Sequence, residues 1–301
     1  MIKSVTVINH LNEMLEMELG NPGESGFLIS SIEGIGPGEA DISTTELAAT
    51  DGAVYNSARL LSRNIILNFI FLEHPTIEDT RQLSYKFFPL KKNLTLIFET
   101  DNRSLQIEGY VESNSPEIFS EQEGSTISII CPNPYFYSLG SELTVFSGVE
   151  PMFEFPFSNE SLTEPLLIMS ELRTKYENVI FYQGDAETGM VIKIHFVGPA
   201  AGITIYNVKT RESMKIDTDK IASIVGSAIQ ASDDLVISTI TGKKSLTFIR
   251  EGKSYNVLNC LGRDSDWLKL AIGENVIAFT ADEGNYNLQF EAYNDILFEG
   301  V

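Results

Sequence analysis

Apolar and polar residues alternate with a period of two through most of this chain. In GSTISIIC, Gly124 to Cys131, Thr126 and Ser128 point one way while Ile127 and Ile129 point the other. That is the pattern of a half-buried strand. Ahead of it, KSVTVIN, GFLISSI, RNIILNFIFL, LTLIFET and SLQIEGYVES read the same way. After it come VIKIHFVG, AGITIYN, ESMKIDT, DLVISTI, SLTFIRE, NVIAFTA and YNLQFEAYN. In the last of these, Tyr286, Leu288 and Phe290 alternate with Asn287, Gln289 and Glu291. Turn signals at Gly202, Gly242, Gly252 and Gly273 space the later strands as in an antiparallel sandwich with one wet face.

One stretch has a helical period instead. PTIEDTRQLSYKFFPLKKN predicts a helix from about Thr76 to Lys92. Thr76 with Asp79 fits a capping box, and Glu78 and Asp79 suit the positive end of the helix dipole. Lys91 and Lys92 suit the negative end, and Ile77, Thr80, Leu83, Ser84, Phe87 and Phe88 gather on one side. Pro132 and Pro134 cannot donate to a ladder, so the strand before them stops near Cys131. Three aromatics, Tyr135, Phe136 and Tyr137, follow that stop. Residues 1–138 therefore read as a mostly β domain with one covering helix. Residues 139–301 read as an antiparallel β-sandwich with no helix. Between them, LGSELTVFSGVEPMFEFPFSNESLTEP has four phenylalanines, two glycines and three prolines, with no long period.

Length and charge narrow the class. A chain of 301 residues suggests about two domains, and 43% hydrophobic with 21% charged residues is an ordinary globular composition. The first residues hold Glu13, Glu16 and Glu18 and no apolar core, so no secretory leader is expected. The most apolar run, Ile65 to Leu72, is too short to span a bilayer, and synthesis in a cytoplasm is expected. The net charge is −21, with 8 basic and 19 acidic residues in 1–138 and 13 and 23 in 139–301. Acidity spread over both halves disfavours docking on nucleic acid or on anionic lipid.

Candidate chemistry is sparse. Cys131 and Cys260 have no metal spacing and read as buried thiols. His10, His74 and His195 lie apart from one another, so neither a metal centre nor a catalytic triad is expected. No cofactor is implied. GIGPGE, Gly34 to Glu39, looks like a phosphate loop but precedes no helix, and Pro37 removes an N–H that a cradle needs. A strained turn is the alternative. The carboxylate pairs Asp185 with Glu187, Asp217 with Asp219, Asp233 with Asp234 and Asp264 with Asp266 sit beside turns. A calcium site on one pair would need six or more oxygens. Trp267, the only tryptophan, is either a core aromatic or a sugar-stacking platform, and burial is the commoner fate of indoles.

Several motifs, taken in order, carry a resemblance. GYVESNSPEIFSEQEGSTISIICPNPYFYS, Gly109 to Ser138, resembles the distal tail proteins (Dit) of long-tailed, siphovirus-type bacteriophages or prophages. There a Cys-Pro-Asp-Pro-Tyr-Phe-like segment closes the first domain, and Asn133 stands here in place of the Asp. TDGAVYNSARLLSRNIIL is similar to an upstream family series through Asp51, Gly52, Tyr55 and Arg63. DSDWLKLAIGENVIAF resembles a later signature through Trp267, Leu270, Gly273 and Asn275, and ILFEGV matches the usual ending.

The resemblance implies a tail-tube-like β domain with one helix, followed by a galectin-like sandwich. It implies a structural, non-enzymatic role at the virion tail tip. Copies would form a homohexameric ring joining the major tail tube protein to the tail-associated hub protein. Receptor-binding proteins or host glycans would be further partners, DNA would pass through without specific binding, and no membrane insertion is implied. In that setting Tyr135, Phe136 and Tyr137 join the domain to its sequel or to a neighbouring subunit, or else anchor the core. Glu13, Glu16, Glu18, Glu39 and Asp41 are the acids expected to line the channel. The competing readings are a carbohydrate-binding β-sandwich module and, behind it, a glycan hydrolase.

Overall fold

The computed structural model describes residues 1–48, 51–151, 170–174 and 176–301, excepting the side chains of 147–151, 170–174 and 286. The linker phenylalanines beyond Pro151 and the side chain of Tyr286 fall outside the described set. In chain order the first elements are β1 (Ile2–Ile8), β2 (Met14–Glu18), α1 (Pro22–Ser25), β3 (Phe27–Glu33), β4 (Ala40–Glu46) and β5 (Ala53–Leu60). Next are β6 (Arg63–Phe71), α2 (Ile77–Phe87), β7 (Asn93–Thr100), β8 (Ser104–Glu117), β9 (Gly124–Cys131) and β10 (Phe136–Ser138). Then follow β11 (Glu142–Val145), β12 (Ser147–Pro151), β13 (Ser170–Thr174), β14 (Glu177–Tyr182), β15 (Val191–Phe196) and β16 (Ala201–Asn207). The remainder is β17 (Ser213–Ile216), α3 (Thr218–Val225), β18 (Asp234–Ser238), β19 (Ser245–Arg250), β20 (Lys253–Asn256), β21 (Gly273–Glu283), β22 (Leu288–Asn294) and β23 (Leu297–Phe298).

The fold is mainly β and antiparallel, and it divides into two compact units. The first comprises Met1–Leu139 together with Leu297–Val301, and the second Gly140–Ile296. A division at residue 138 makes no provision for Leu297–Val301, which return to the first unit through pairing of β23 with β10.

The first unit is built on one sheet of order β2-β1-β7-β8-β9-β6-β3, with β10 attached to β8. Period-two alternation decides its faces. Along β6, Arg63, Ile65, Leu67, Phe69 and Phe71 turn inward, facing Ile127 and Ile129 of β9 across the register. Helix α2 closes this face with Thr80, Ser84 and Phe87. Phe27 meets Phe69 and Phe71 edge-on at 5.5 and 6.0 Å. Each such phenylalanine contributes about 1.5–3 kcal/mol by leaving water.

Helix α2 starts where its cap predicts. The Thr76 hydroxyl accepts the Asp79 N–H at 3.2 Å. It ends sooner than expected, at Phe87 rather than near Lys92. Phe88 precedes Pro89, whose ring excludes helical backbone at the residue before it. Lys91 and Lys92 consequently lie past the end, and Lys86 is the cation of the last turn.

In the second unit the sheets β11-β22-β15-β18-β19-β20 and β14-β21-β16-β17 feed one core. Phe279 of the smaller sheet stacks on Phe290 of the larger at 3.8 Å. Helix α3 departs from the helix-free expectation. Asp217 caps it by accepting the Lys220 N–H at 3.1 Å, and Gly226, at φ +93°, ends it. Two turns hold too few repeats for a period to stand out, whereas the cap and stop residues were legible.

Candidate assembly surface

Strands β4 and β5 stand apart from the sheet that flanks them. Among the described residues they pair with each other and with no third strand. Almost every position is exposed, including Ile42 at 60%, Val54 at 50% and Tyr55 at 62%. Asp41 pairs with Arg59 across the ribbon at 3.1 Å. The Asn56 amide donates to Thr45 Oγ1 at 2.7 Å. A lone two-stranded ribbon is marginal in water, and apolar residues on such an edge are normally covered.

The root of this ribbon is set by Arg63. Its Nε donates to Pro134 O at 2.7 Å, Nη1 to Gly34 O at 2.6 Å and also to Gly36 O, and Nη2 to Glu299 O at 2.6 Å. The guanidinium also lies 4.7 Å from the Phe136 ring centroid. Burial lowers its pKa from the ordinary arginine value, and Cys131 and Glu299 act in the opposite direction. Gly34 has φ +80°, and a Cβ there would lie 2.0 Å from Asn64 O, so glycine is required. The GIGPGE loop thus turns carbonyls toward a cation, the reverse of a phosphate cradle. Sequence reasoning assigned Arg63 no part in this. The available signal was its period-two position, on the same face as Ile65 and Leu67.

Of the three aromatics, Phe136 is a core anchor of the first unit, fully buried and edge-on to Phe98 at 5.8 Å. Tyr135 and Tyr137 are half-buried. Burial, with Glu299 nearby, pushes the Tyr135 hydroxyl pKa up. Tyr137 lies opposite Gln106 of β8 and Leu297 of β23.

The five acids do not form one cluster. Glu13 turns to Lys86 of α2 at 2.7 Å. That hydrogen bond, aided by one from Asn9, holds its carboxyl below the usual range. Glu39 and Asp41 lie exposed at the ribbon root. Glu16 and Glu18 face outward from the large sheet, opposite Thr6 and Ser4 of β1. Ser4 is in turn opposite Glu99, and Thr95 opposite Glu108, so these two glutamates share that face. Sequence reading did not group them, because the strand order was unknown. The strands of this sheet contain two basic residues, the buried Arg63 and Lys3, and Lys3 lies 3.6 Å from Asp101.

In the second unit His195 Nδ1 lies 2.7 Å from Asp234 on the outer face of β15 and β18. Trp267 packs half-buried on the core, with Lys244 Nζ 5.0 Å from its ring centroid. The carboxylate pairs are dispersed: Asp217 caps α3, Asp233 binds Arg250, and Glu187 meets Lys269 at 3.7 Å. Among the described residues no three His, Cys, Asp or Glu side chains gather as a metal site.

Comparison with known proteins bears on both units. Residues 183–293 match the family described as siphovirus-type tail component, C-terminal domain. The crystal structure of the phage SPP1 Dit protein (gp 19.1) has the same fold, with a TM-score of 0.66 at 12% identity over 98% of this chain and 99% of that one. That protein is described as a paradigm of the hub adsorption apparatus in Gram-positive infecting phages. A chain of the phage P2 baseplate in its activated, calcium-bound conformation aligns with a TM-score of 0.54 at 11% identity, covering 100% of both chains. No curated protein sequence matches.

Proposed function

We propose that this chain is a structural part of a phage tail tip or baseplate and that it assembles as a homohexameric ring between the tail tube protein and the hub protein, a reading supported by the siphovirus-type tail component match at residues 183–293 and by the Dit-like fold over 98% of its length. The observation that carries the ring is the β4–β5 ribbon. Its exposed Ile42, Val54 and Tyr55 gain a cover when the ribbon lies on the first unit of a neighbouring copy. Closed cyclic symmetry lets each ribbon reach the next copy with no free end. Assembly would take place in the host cytoplasm. The role is non-enzymatic, and receptor-binding proteins attach to the finished ring.

The test is mass measurement in solution with electron microscopy, alone and with the neighbouring tail proteins. A ring is expected for the whole chain. Replacing residues 40–60 by a short glycine-serine turn should leave a folded monomer. A two-fold dimer that persists beside the tail partners would overturn the ring.

The outer face bearing Glu16, Glu18, Glu99 and Glu108 is the surface we assign to the channel, with Glu39 and Asp41 contributing from the ribbon root. Carboxylates there would repel DNA over a Debye length of about 8 Å at physiological salt, so passage proceeds without adhesion. Changing Glu16, Glu18, Glu99 and Glu108 to Lys should leave the ring assembled and slow DNA ejection, most at low salt. Normal ejection at every salt concentration would refute the assignment.

A further inference from the structure

Three segments far apart in sequence converge on Arg63. They are the ribbon root at Gly34 and Gly36, Pro134 just before β10, and Glu299. Residues Leu297–Val301 tie the three together. Phe298 of β23 lies opposite Phe136 of β10. The Arg103 guanidinium lies 4.7 Å from the Phe298 ring centroid and donates to Gly300 O at 3.1 Å. The Val301 N–H donates to Ile35 O at 3.0 Å, within the root loop itself. A few residues on, the Leu61 N–H closes the ribbon base onto Glu39 O at 3.1 Å.

We propose that Leu297–Val301 is a strap that sets the root of the exposed ribbon, so that a copy becomes competent to join its neighbour only after the strap has seated. Without the strap, Arg63 loses the Glu299 carbonyl, Ile35 loses its donor and β10 loses a strand partner. The root loop then keeps two carbonyls on Arg63 and the Leu61–Glu39 bond at the ribbon base, but loses the Val301 N–H that holds Ile35. Chain order gives this consequence. The strap follows all of Gly140–Ile296, and segments made earlier fold earlier during synthesis. The large sheet can form from Met1–Leu139, while its ribbon waits for a segment that arrives only after the second unit. Chains that lack Leu297–Val301 are thereby kept out of the assembly. The assembly step rests on the ring reading above; the setting of the ribbon root does not.

Hydrogen exchange is the measurement, on the whole chain, a chain ending at Ile296, and the whole-length variant Arg103→Gln. Amides in 34–39 and 134–138 should exchange about tenfold faster or more in the shortened chain. The same segments should quicken by a smaller factor in Arg103→Gln, with β15 and β22 unchanged in both. If the shortened chain fails to fold, Arg103→Gln decides alone. Unchanged exchange at 34–39 in Arg103→Gln and in a folded shortened chain would overturn the strap. With the tail partners added, the whole chain should form rings and the shortened one should not. A shortened chain that assembles as readily as the whole one would overturn the gating role and leave the ring reading standing. If the whole chain forms no ring, the ring reading and the gating fall together, and exchange alone decides whether the strap sets the root.

Discussion

Arg63 is buried in the first unit and Arg250 is partly buried in the second, and the two are held in opposite ways. Arg250 donates through Nε to Asp233 Oδ1 at 2.7 Å, and its Nη2 reaches Ala228 O at 2.9 Å. Asp233 is buried and raises the pKa of that guanidinium above the ordinary arginine value. Arg63 is held by four main-chain carbonyls, and burial lowers its pKa instead. A carboxylate neutralises a guanidinium from one nearby residue, so the Arg250 pair staples only the segment between 227 and 250. A carbonyl carries partial charge, so several must converge, and the cation that gathers them joins distant parts of the chain.

The largest expected effects come from removing each cation. Arg63→Met should destabilise the first unit by about 4 kcal/mol or more, since several charge-assisted bonds vanish and their carbonyls lose their donor. Arg250→Met should cost the second unit about 3 kcal/mol, because Asp233 stays buried without its partner. Each loss can be followed separately by thiol labelling during urea unfolding, through Cys131 in the first core and Cys260 in the second. The contrast sharpens with second substitutions. Adding Asp233→Leu to Arg250→Met should recover much of the loss, whereas no side-chain change restores Arg63→Met. An Arg63→Met cost below about 1 kcal/mol would break the comparison.

Per pH unit, a smaller effect follows from Cys131, the thiol beside Arg63. Burial pushes its pKa up to about 12 from the ordinary 9.0, with Arg63 opposing. The unfolded chain therefore releases this proton first. The first unit should lose about 1.4 kcal/mol per pH unit above pH 9, a slope that ends near the folded value. Urea midpoints at increasing alkaline pH should show this slope in the native chain and lack it in Cys131→Ala.

The smallest effect belongs to a cation at the surface, Lys86. It holds the Glu13 carboxyl below its ordinary 4.5. That stabilisation is present above the unfolded value and disappears as pH falls through the folded one. Lys86→Met should flatten this part of the acid-unfolding profile. An unaltered acid midpoint would show that the exposed pair contributes nothing.

Particular residues mark how far the pattern carried. The inward set of β6 and the cap at Thr76 could be read directly, because strand period and helix capping act over a few neighbouring residues. The early end of α2 was also local, set by Pro89, and was passed over in favour of the lysines beyond it. Helix α3 escaped because two turns make a weak period, although Asp217 and Gly226 marked both ends. The order of motifs from Tyr55 through Arg63 to ILFEGV pointed to tail proteins without explaining why those residues occur together.

By itself the sequence determined the β class, the helix start and the acidic character. Tertiary structure alone decided that Glu16, Glu18, Glu99 and Glu108 share a face while Glu13 turns to Lys86. It also decided that Leu297–Val301 return to Arg63. The physical reason is the same in each case. A period of two assigns a side chain to one side of its own strand but says nothing of which strand lies beside it. The acceptors that hold Arg63 are main-chain carbonyls, which every residue has, so no letter in the sequence marks them.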